Sequence, residues 1–146
     1  MKLVTITGKP NTGKDWLARK LGGNSDVLYI RPYSDRKIPK NIEPWEFDDS
    51  SIHLSEYKLS KKMEREVPLA IRTIGDTRYV FFRNQLRADY VVIVVDEATL
   101  DHLRKNYDCE IYSIYVTHDT CPNSDDYDVV YNPKTDDYDT LEAGIV

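Results

Sequence analysis

The sequence predicts a three-layer α/β domain with a mostly parallel central sheet. Three observations lead to this prediction. Apolar strand-like runs alternate along the chain with segments of helical spacing. The run at residues 2–7 alternates little and is rich in Val, Ile and Leu, and the run at residues 90–95 is apolar throughout, which is typical of strands buried on both faces. A glycine-containing turn joins the first run to a helix, as in domains that bind ligands at the carboxyl ends of parallel strands.

The first third of the chain contains two strands, a helix and a long loop. Residues 2–7 form the central strand, and residues 15–21 form a helix that ends at a Gly-Gly pair. Residues 27–30 form a second strand. Residues 32–44 are predicted to be a loop, because they contain several prolines and a cluster of cations.

The rest of the chain alternates in the same way. Leu54, Tyr57 and Met63 have the spacing of one helix face, which predicts a helix over residues 53–65. A Gly-Asp-Thr turn between two apolar segments predicts a hairpin of residues 70–74 and 78–82. The remaining predicted elements are a strand at 90–95, a helix at 98–106, strands at 111–116 and 128–131, and a closing helix at 136–142.

Length and composition limit the classes of function. A chain of 146 residues is one domain by size, and its net charge of −5 argues against broad binding to a nucleic-acid backbone. A small anionic ligand is still possible, because a pocket needs only a few local cations. The sequence has no apolar run long enough to span a membrane and no signal-peptide pattern, so we expect a cytoplasmic protein. Cys109 and Cys121 are isolated and are expected to be idle thiols.

The turn after the first strand has the G-x-x-x-x-G-K spacing of a phosphate-binding loop. In such a loop the backbone N–H groups curl around an anion, the helix N-terminus adds partial positive charge, and the lysine reaches the β and γ phosphates. The preceding strand and following helix provide the required setting; the alternative is a simple turn into a helix. We therefore predict that ATP binds here, at Gly8, Lys9, Pro10, Asn11, Thr12, Gly13, Lys14 and the adjoining Asp15.

Two carboxylates are candidate ligands of Mg²⁺. Asp96 directly follows the strand at residues 90–95, where it can hold the metal or a metal-bound water beside the phosphate loop. The alternative is that Asp96 only caps the following helix. Asp15 stands where a phosphate-binding loop usually has Ser or Thr, whose hydroxyl binds the metal. Its carboxylate either binds Mg²⁺ or points away and favours the helix N-terminus.

The order of these segments resembles the guanylate kinase family of nucleoside monophosphate kinases over nearly the whole chain. The loop GKPNTGKD resembles the ATP loop of that family, and VLYIRPYSDRKIPK stands where the family has a strand and an arginine-containing phosphate-binding segment. WEFDDSSIHLSEYKLSKKME resembles the aromatic-x-Phe strand and helix of its monophosphate-binding lobe, and IGDTRYVFF resembles its His-Gly-x-x-Tyr-Gly turn. YVVIVVDEATLDHLRKNY, IYSIYV and YDVVYN resemble its later strands and helix.

The resemblance implies a P-loop kinase fold over residues 1–146, with a monophosphate-binding lobe inserted at about residues 32–88. It implies transfer of the γ-phosphoryl group of ATP, with Mg²⁺, to a nucleoside or deoxynucleoside monophosphate, with (d)GMP as the leading acceptor. It makes Lys14, Arg36 and Asp96 catalytic residues and Asp15 and Asp96 metal ligands. The residues that it implies for acceptor binding are Ser34, Arg36, Trp45, Arg72, Arg78 and Asp96.

The chain also departs from this family. Residues 117–126 stand where the family has a helical lid with catalytic arginines, and they are too few for a helical hairpin. A guanine-reading glutamate is expected near Leu69, and the sequence has none there. The cations around Arg36 also have an alternative role as solvated loop charges. These departures favour a second hypothesis, a catalytically weak nucleotide- or protein-binding module, whereas the intact Lys14 favours the enzyme.

Overall fold

The computed structural model describes residues 1–38, 40–41, 50–119 and 124–146. The chain divides into two compact units, which we call the core unit (residues 1–30 and 87–146) and the lobe (residues 31–86). In chain order the helices and strands are β1 (Lys2–Gly8), α1 (Lys14–Leu21), β2 (Val27–Tyr29), β3 (Tyr33–Ser34), β4 (Ile52–His53), α2 (Glu56–Arg65), β5 (Pro68–Ile74), β6 (Thr77–Phe82), β7 (Tyr90–Val94), α3 (Glu97–Asn106), β8 (Glu110–Val116), β9 (Val129–Tyr131) and α4 (Tyr138–Ile145).

The core unit is built on a five-stranded sheet of order β2-β7-β1-β8-β9. Every strand pair in it is parallel, which confirms the predicted mostly parallel sheet. β1 lies at the centre, and Leu3, Val4 and Ile6 are fully buried, as expected for a strand covered on both faces. Because the strands are parallel, their carboxyl ends meet at one edge, where ligands bind in such sheets.

The two faces of β1 pack against different partners. Val4 and Ile6 belong to an apolar cluster with Leu17 of α1 and Leu141 of α4. Residues of β1 alternate between faces, so Thr5 and Thr7 point to the other side. A cleft that Thr7 lines is also lined by the first residues of α3, and α3 therefore begins on that side of the sheet.

The lobe has a smaller, mixed sheet of order β4-β3-β6-β5. β5 and β6 form the predicted antiparallel hairpin, and β3 pairs antiparallel with β6 and parallel with β4. Among its described residues, Leu59 of α2 packs with Val80 and Phe82 of β6 in an apolar cluster, and all three are fully buried.

Several predicted boundaries differ from the structure, and three differences have a clear physical cause. The predicted loop over residues 32–44, of which residues 39 and 42–44 lie outside the described residues, contains the short strand β3, because this segment pairs with β6 far along the chain. The helix predicted over residues 53–65 begins at Glu56, since the Ser55 hydroxyl accepts a hydrogen bond from the Lys58 N–H and caps it. The closing helix begins at Tyr138 and extends to Ile145, because Asp137 is its cap. Within the described ranges, no helix has the length and apolarity needed to cross a membrane.

Candidate nucleotide-binding site

The predicted phosphate loop enters α1 through left-handed backbone. Gly13, the N-cap residue of α1, has φ of 97°, and Asn11 has φ of 61°. Glycine adopts this region at little cost, and asparagine tolerates it better than most residues. Gly13 has no side chain, and no side-chain cap is made at this helix end. The first turn of α1 therefore presents backbone N–H donors and the positive end of its dipole, as anion binding requires.

The loop is packed closely against the neighbouring strand. A Cβ atom on Gly8 would lie 2.4 Å from the carbonyl oxygen of Val116 in β8 and 3.3 Å from Thr12 Oγ1, so only glycine fits. The Thr12 hydroxyl donates a hydrogen bond of 2.8 Å to the Lys9 carbonyl oxygen and is nearly buried. The close approach of Gly8 to β8 and the Thr12 hydrogen bond both stabilise the curled shape of the loop.

The Lys14 side chain lies across this loop. Its Nζ donates a hydrogen bond of 2.8 Å to the carbonyl oxygen of Gly8. The ammonium group is thus held at the loop, where it can bind a phosphate oxygen by a charge-assisted hydrogen bond.

A cleft of about 420 Å³ opens at the carboxyl ends of the central strands, next to the loop. Its walls combine the end of β1, the start of the phosphate loop, the start of α3 and the end of β8. The residues that line it are Thr7, Gly8, Lys9, Asp96, Glu97, Ala98 and Tyr115. The carboxylate after β7 and the phosphate loop after β1 therefore share one cleft.

Asp96 caps α3 in this cleft. Its Oδ1 accepts a hydrogen bond of 2.8 Å from the Thr99 N–H, so the capping role is confirmed. Metal binding by Asp96 stays a prediction. The two roles are compatible, because the cap uses Oδ1 and a carboxylate has two oxygen atoms.

Asp15 lies in the first turn of α1 with its side chain exposed. Among the described residues, no group of three or more His, Cys, Asp and Glu side chains could hold a metal ion. Magnesium does not need such a cage, because it is usually bound by one or two carboxylates together with substrate phosphates. Asp96 in the cleft, with Gly8 and Lys9 beside it and the Lys14 ammonium group on the Gly8 carbonyl oxygen, could hold such a Mg²⁺–nucleotide group.

Tyr127 contacts two walls of the cleft, a role that no pattern in the sequence predicts. Its hydroxyl donates a hydrogen bond of 3.2 Å to Glu97 Oε1, and its ring centroid lies 4.9 Å from that of Tyr115. The Arg104 guanidinium lies 5.9 Å from the Tyr127 ring centroid and donates to the Ser113 hydroxyl. Tyr127 therefore contacts both α3 and β8. Sequence reasoning interpreted the tyrosines as general core and surface residues, since this contact depends on the fold.

In the lobe, two predicted acceptor-binding residues lie together at the end of β3. The Ser34 side chain is fully buried, and its Oγ accepts a hydrogen bond of 3.1 Å from the Arg36 N–H. The Arg36 side chain is exposed. This turn fixes the backbone of Arg36.

Arg78 is held inside the lobe by several partners. Its Nε lies 2.9 Å from Asp35 Oδ2, its backbone N–H donates to Asp35 Oδ1 at 2.7 Å, and its guanidinium also donates to Ser60 Oγ and the Glu56 carbonyl oxygen. Burial raises the pKa of the Asp35 carboxyl. The hydrogen bonds and charge of Arg78 lower this pKa by more, so it lies below its usual value. The structure thus gives Arg78 a structural partner, and its role in acceptor binding stays a prediction.

Two further predicted acceptor-binding residues are Arg72 and Trp45. Arg72 is exposed on β5, opposite Tyr79 of β6 in the hairpin. Trp45 lies outside the described residues. The roles of Arg36 and Arg72 as ligands of an acceptor phosphate stay predictions.

Comparison with known proteins supports the fold. No protein-family model matches the chain, and no curated protein matches it. Among solved structures, the chain is similar to the guanylate kinase from Anaplasma phagocytophilum with a TM-score of 0.64. The similarity covers 98% of this chain and 81% of that protein, at 12% sequence identity. The fold is therefore an α/β fold that resembles the P-loop fold of guanylate kinase.

Proposed function

We propose that this chain is an ATP-dependent nucleoside monophosphate kinase. It transfers the γ-phosphoryl group of ATP to a nucleoside or deoxynucleoside monophosphate, with (d)GMP as the first acceptor to test. An oxygen of the acceptor phosphate attacks the γ-phosphorus, the bond to the β-phosphate oxygen breaks, and ADP leaves. The proposal includes small nucleotides as substrates, no nucleic-acid or membrane partner, and the cytoplasm as the location.

One observation carries the proposal: Gly8 and Lys9 of the loop line the same cleft as the strand-end carboxylate Asp96, and the Lys14 ammonium group donates a hydrogen bond to the Gly8 carbonyl oxygen. Phosphoryl transfer depends mainly on positioning and charge stabilisation, and this arrangement supplies a backbone anion site, a lysine and a carboxylate for Mg²⁺. Lys14 and the loop N–H groups hold the donor phosphates. Asp96, with Asp15 as a candidate neighbour, positions the metal.

The lobe holds the acceptor in this proposal. Arg36 is the principal ligand of the monophosphate, since an exposed guanidinium can bind a phosphate with two parallel hydrogen bonds. Ser34 fixes the backbone beside it. Arg72 or Arg78 and Trp45 complete the acceptor set in the proposal.

The test is a panel of ribo- and deoxyribonucleoside monophosphates incubated with ATP and Mg²⁺. ADP and the matching diphosphate are quantified for the parent protein and for Lys14→Met. We expect one acceptor to give both products in the parent and far less in the variant. If no acceptor gives a diphosphate above the variant's level, the kinase assignment fails.

A second candidate function is a nucleotide-binding module without efficient transfer. It is favoured by the short connection between β8 and β9, residues 117–128, which leaves no room for a helical lid with arginines. A transition-state arginine contributes about 10³- to 10⁵-fold to such reactions. ATP binding that depends on Lys14, without any diphosphate product, would identify this function.

A further inference from the structure

Two hydroxyl groups on the central strand are buried without a partner. Among side chains in the described residues, Thr5 Oγ1 and Thr7 Oγ1 are the buried nitrogen or oxygen atoms that make no hydrogen bond. Thr5 is 0% exposed and Thr7 is 3% exposed. An unpaired buried hydroxyl destabilises a fold, and valine would fill the same space without that cost. Each threonine therefore needs an explanation beyond packing.

The two residues share a face of β1 but differ in what lies beside them. Thr7 is opposite Tyr115 in β8, and both line the cleft that holds Asp96 and Lys9. Thr5 is opposite Ser113, one pleat deeper, and does not line the cleft. The Ser113 hydroxyl is already bonded to Asp128. Thr7 is thus the unpaired hydroxyl at the ligand-binding edge, and Thr5 is an internal control for the general β-strand preference of threonine.

The chain also lacks the hydroxyl that a phosphate-binding loop normally provides after its lysine, because Asp15 stands there. The Thr12 hydroxyl is used within the loop, where it donates to the Lys9 carbonyl oxygen. Thr7 directly precedes Gly8 and has no such partner. Rotation about χ1 exchanges its hydroxyl and methyl positions between staggered wells.

We infer that the Thr7 hydroxyl is a ligand-binding group of the cleft. This inference rests on the proposed function, because the ligand is the phosphate end of a nucleotide with its hydrated metal. The hydroxyl can donate to a phosphate oxygen or accept from a metal-bound water. In either case the bound nucleotide supplies the hydrogen-bond partner that the fold does not.

The experiment compares Thr7→Val with the control Thr5→Val and with Thr7→Ser, which keeps the hydroxyl. ATP binding is measured by calorimetric titration with and without Mg²⁺, and unfolding of the ligand-free proteins is measured in urea. We expect both valine variants to unfold at or above the parent's midpoint, because each loses an unpaired hydroxyl. We expect Thr7→Val to bind ATP with Mg²⁺ roughly tenfold more weakly than the parent, while Thr5→Val and Thr7→Ser match the parent.

The two magnesium arms distinguish the atom that Thr7 contacts. A loss of affinity that is equal with and without Mg²⁺ identifies a phosphate oxygen. A loss that occurs only with Mg²⁺ identifies a metal-bound water.

The outcomes that overturn the inference are separate from those that overturn the proposed function. If the parent binds no ATP, the proposed function fails and the Thr7 inference fails with it. If the parent binds ATP and Thr7→Val binds equally well, only the Thr7 inference fails. If Thr7→Val alone unfolds at lower urea and Thr7→Ser restores the parent's midpoint, the hydroxyl serves the fold, and the inference is again wrong.

Discussion

The core unit and the lobe use their charged residues in different ways. In the core unit, the fold is held by apolar layers on the parallel sheet, and Lys14 and Asp96 stand at its edge, in contact with loop and helix backbone. In the lobe, Asp35 after β3 forms an ion pair with Arg78 of β6, and Arg78 also donates a hydrogen bond to Ser60 of α2. The Asp35–Arg78 pair therefore stabilises the lobe, whereas Lys14 and Asp96 lie at the sheet edge where we predict that a nucleotide binds.

The largest expected effect is on the stability of the lobe. The Asp35 side chain is 3% exposed and that of Arg78 is 25% exposed, so Asp35→Asn leaves a partly buried guanidinium without its carboxylate. We expect a loss of about 2–4 kcal/mol in the free energy of unfolding. Urea unfolding measures the loss, and hydrogen exchange of the β6 amides locates it in the lobe.

The matched control is a second ion pair with the same separation. Lys105 and Asp101 on α3 are also 2.9 Å apart, but their side chains are 70% and 62% exposed. Asp101→Asn should cost at most about 0.5 kcal/mol. Equal losses in the two variants would mean that burial of the lobe pair has no importance.

The Asp35–Arg78 pair should make the free energy of unfolding depend on pH. The pKa of Asp35 is lowered in the folded protein, so its contribution to stability is present above the unfolded pKa of about 4 and is lost as the pH falls through the folded value. The difference in unfolding midpoint between the parent and Asp35→Asn should therefore be constant from pH 5 to 7 and shrink below about pH 4. A difference that grows on acidification would contradict this assignment.

The next effect tests the core unit. Lys14→Met keeps the aliphatic stem and removes the ammonium group, so the variant should bind ATP roughly 30-fold more weakly while its affinity for adenosine is unchanged. Its free energy of unfolding should fall by about 1 kcal/mol at most, because the variant loses the hydrogen bond of Lys14 to the Gly8 carbonyl oxygen. Lys105→Met, on the exposed face of α3, controls for loss of a positive charge. If Lys14→Met and the parent bind ATP with equal affinity, the prediction of a phosphate site at Lys14 is wrong.

The sequence predicted the core unit better than the lobe for a physical reason. Residues 2–7 and 90–95 are rich in Val, Ile and Leu because both sheet faces are covered, so a short stretch of sequence is enough to predict these strands and the carboxylate that follows the second. The partner of Arg78 is 43 positions away in sequence, and no local pattern predicts such a pair. The strand β3 has only two residues and forms by pairing with β6, which is also distant in sequence. Thr7 could have been noticed as a polar residue in an apolar run directly before Gly8, but only the fold reveals that it has no partner.

The third effect compares two arginines within the lobe. Arg36 is exposed on a turn fixed by Ser34, and Arg78 is held by Asp35. In Arg36→Lys, which loses the paired hydrogen bonds of a guanidinium, the KM for the acceptor found in the monophosphate panel should rise roughly five- to tenfold, with an unchanged unfolding midpoint. Arg78→Lys should instead lower the midpoint. If KM is unchanged in Arg36→Lys, this arginine is not in the acceptor site.

The smallest expected effect is on the ATP affinity of an Asp15 variant. Asp15 stands where a phosphate-binding loop usually has Ser or Thr. A carboxylate at about 5 Å from a phosphate charge repels it by roughly 3 kcal/mol at an effective dielectric of 20, but by only about 0.8 kcal/mol in bulk water. Because Asp15 is exposed, we expect the weaker value, which is about fourfold in affinity. Asp15→Thr should therefore bind ATP without Mg²⁺ about fourfold better than the parent. A metal positioned between the carboxylate and the phosphates offsets the repulsion, so the variant should also depend less on magnesium.

Asp139→Thr, in the first turn of α4, is the control for removing an exposed carboxylate from a helix N-terminus. It should leave both titrations unchanged, since α4 does not carry the phosphate loop. If Asp15→Thr also gives the parent's affinities with and without Mg²⁺, the Asp15 side chain is outside the site and only favours the N-terminus of α1. If it lowers the affinity in the presence of Mg²⁺ and leaves metal-free binding unchanged, Asp15 is a metal ligand whose attraction exceeds its repulsion of the phosphates. Repeating the titrations at high salt separates these cases further, because repulsion between exposed charges is screened while a direct metal bond is affected much less.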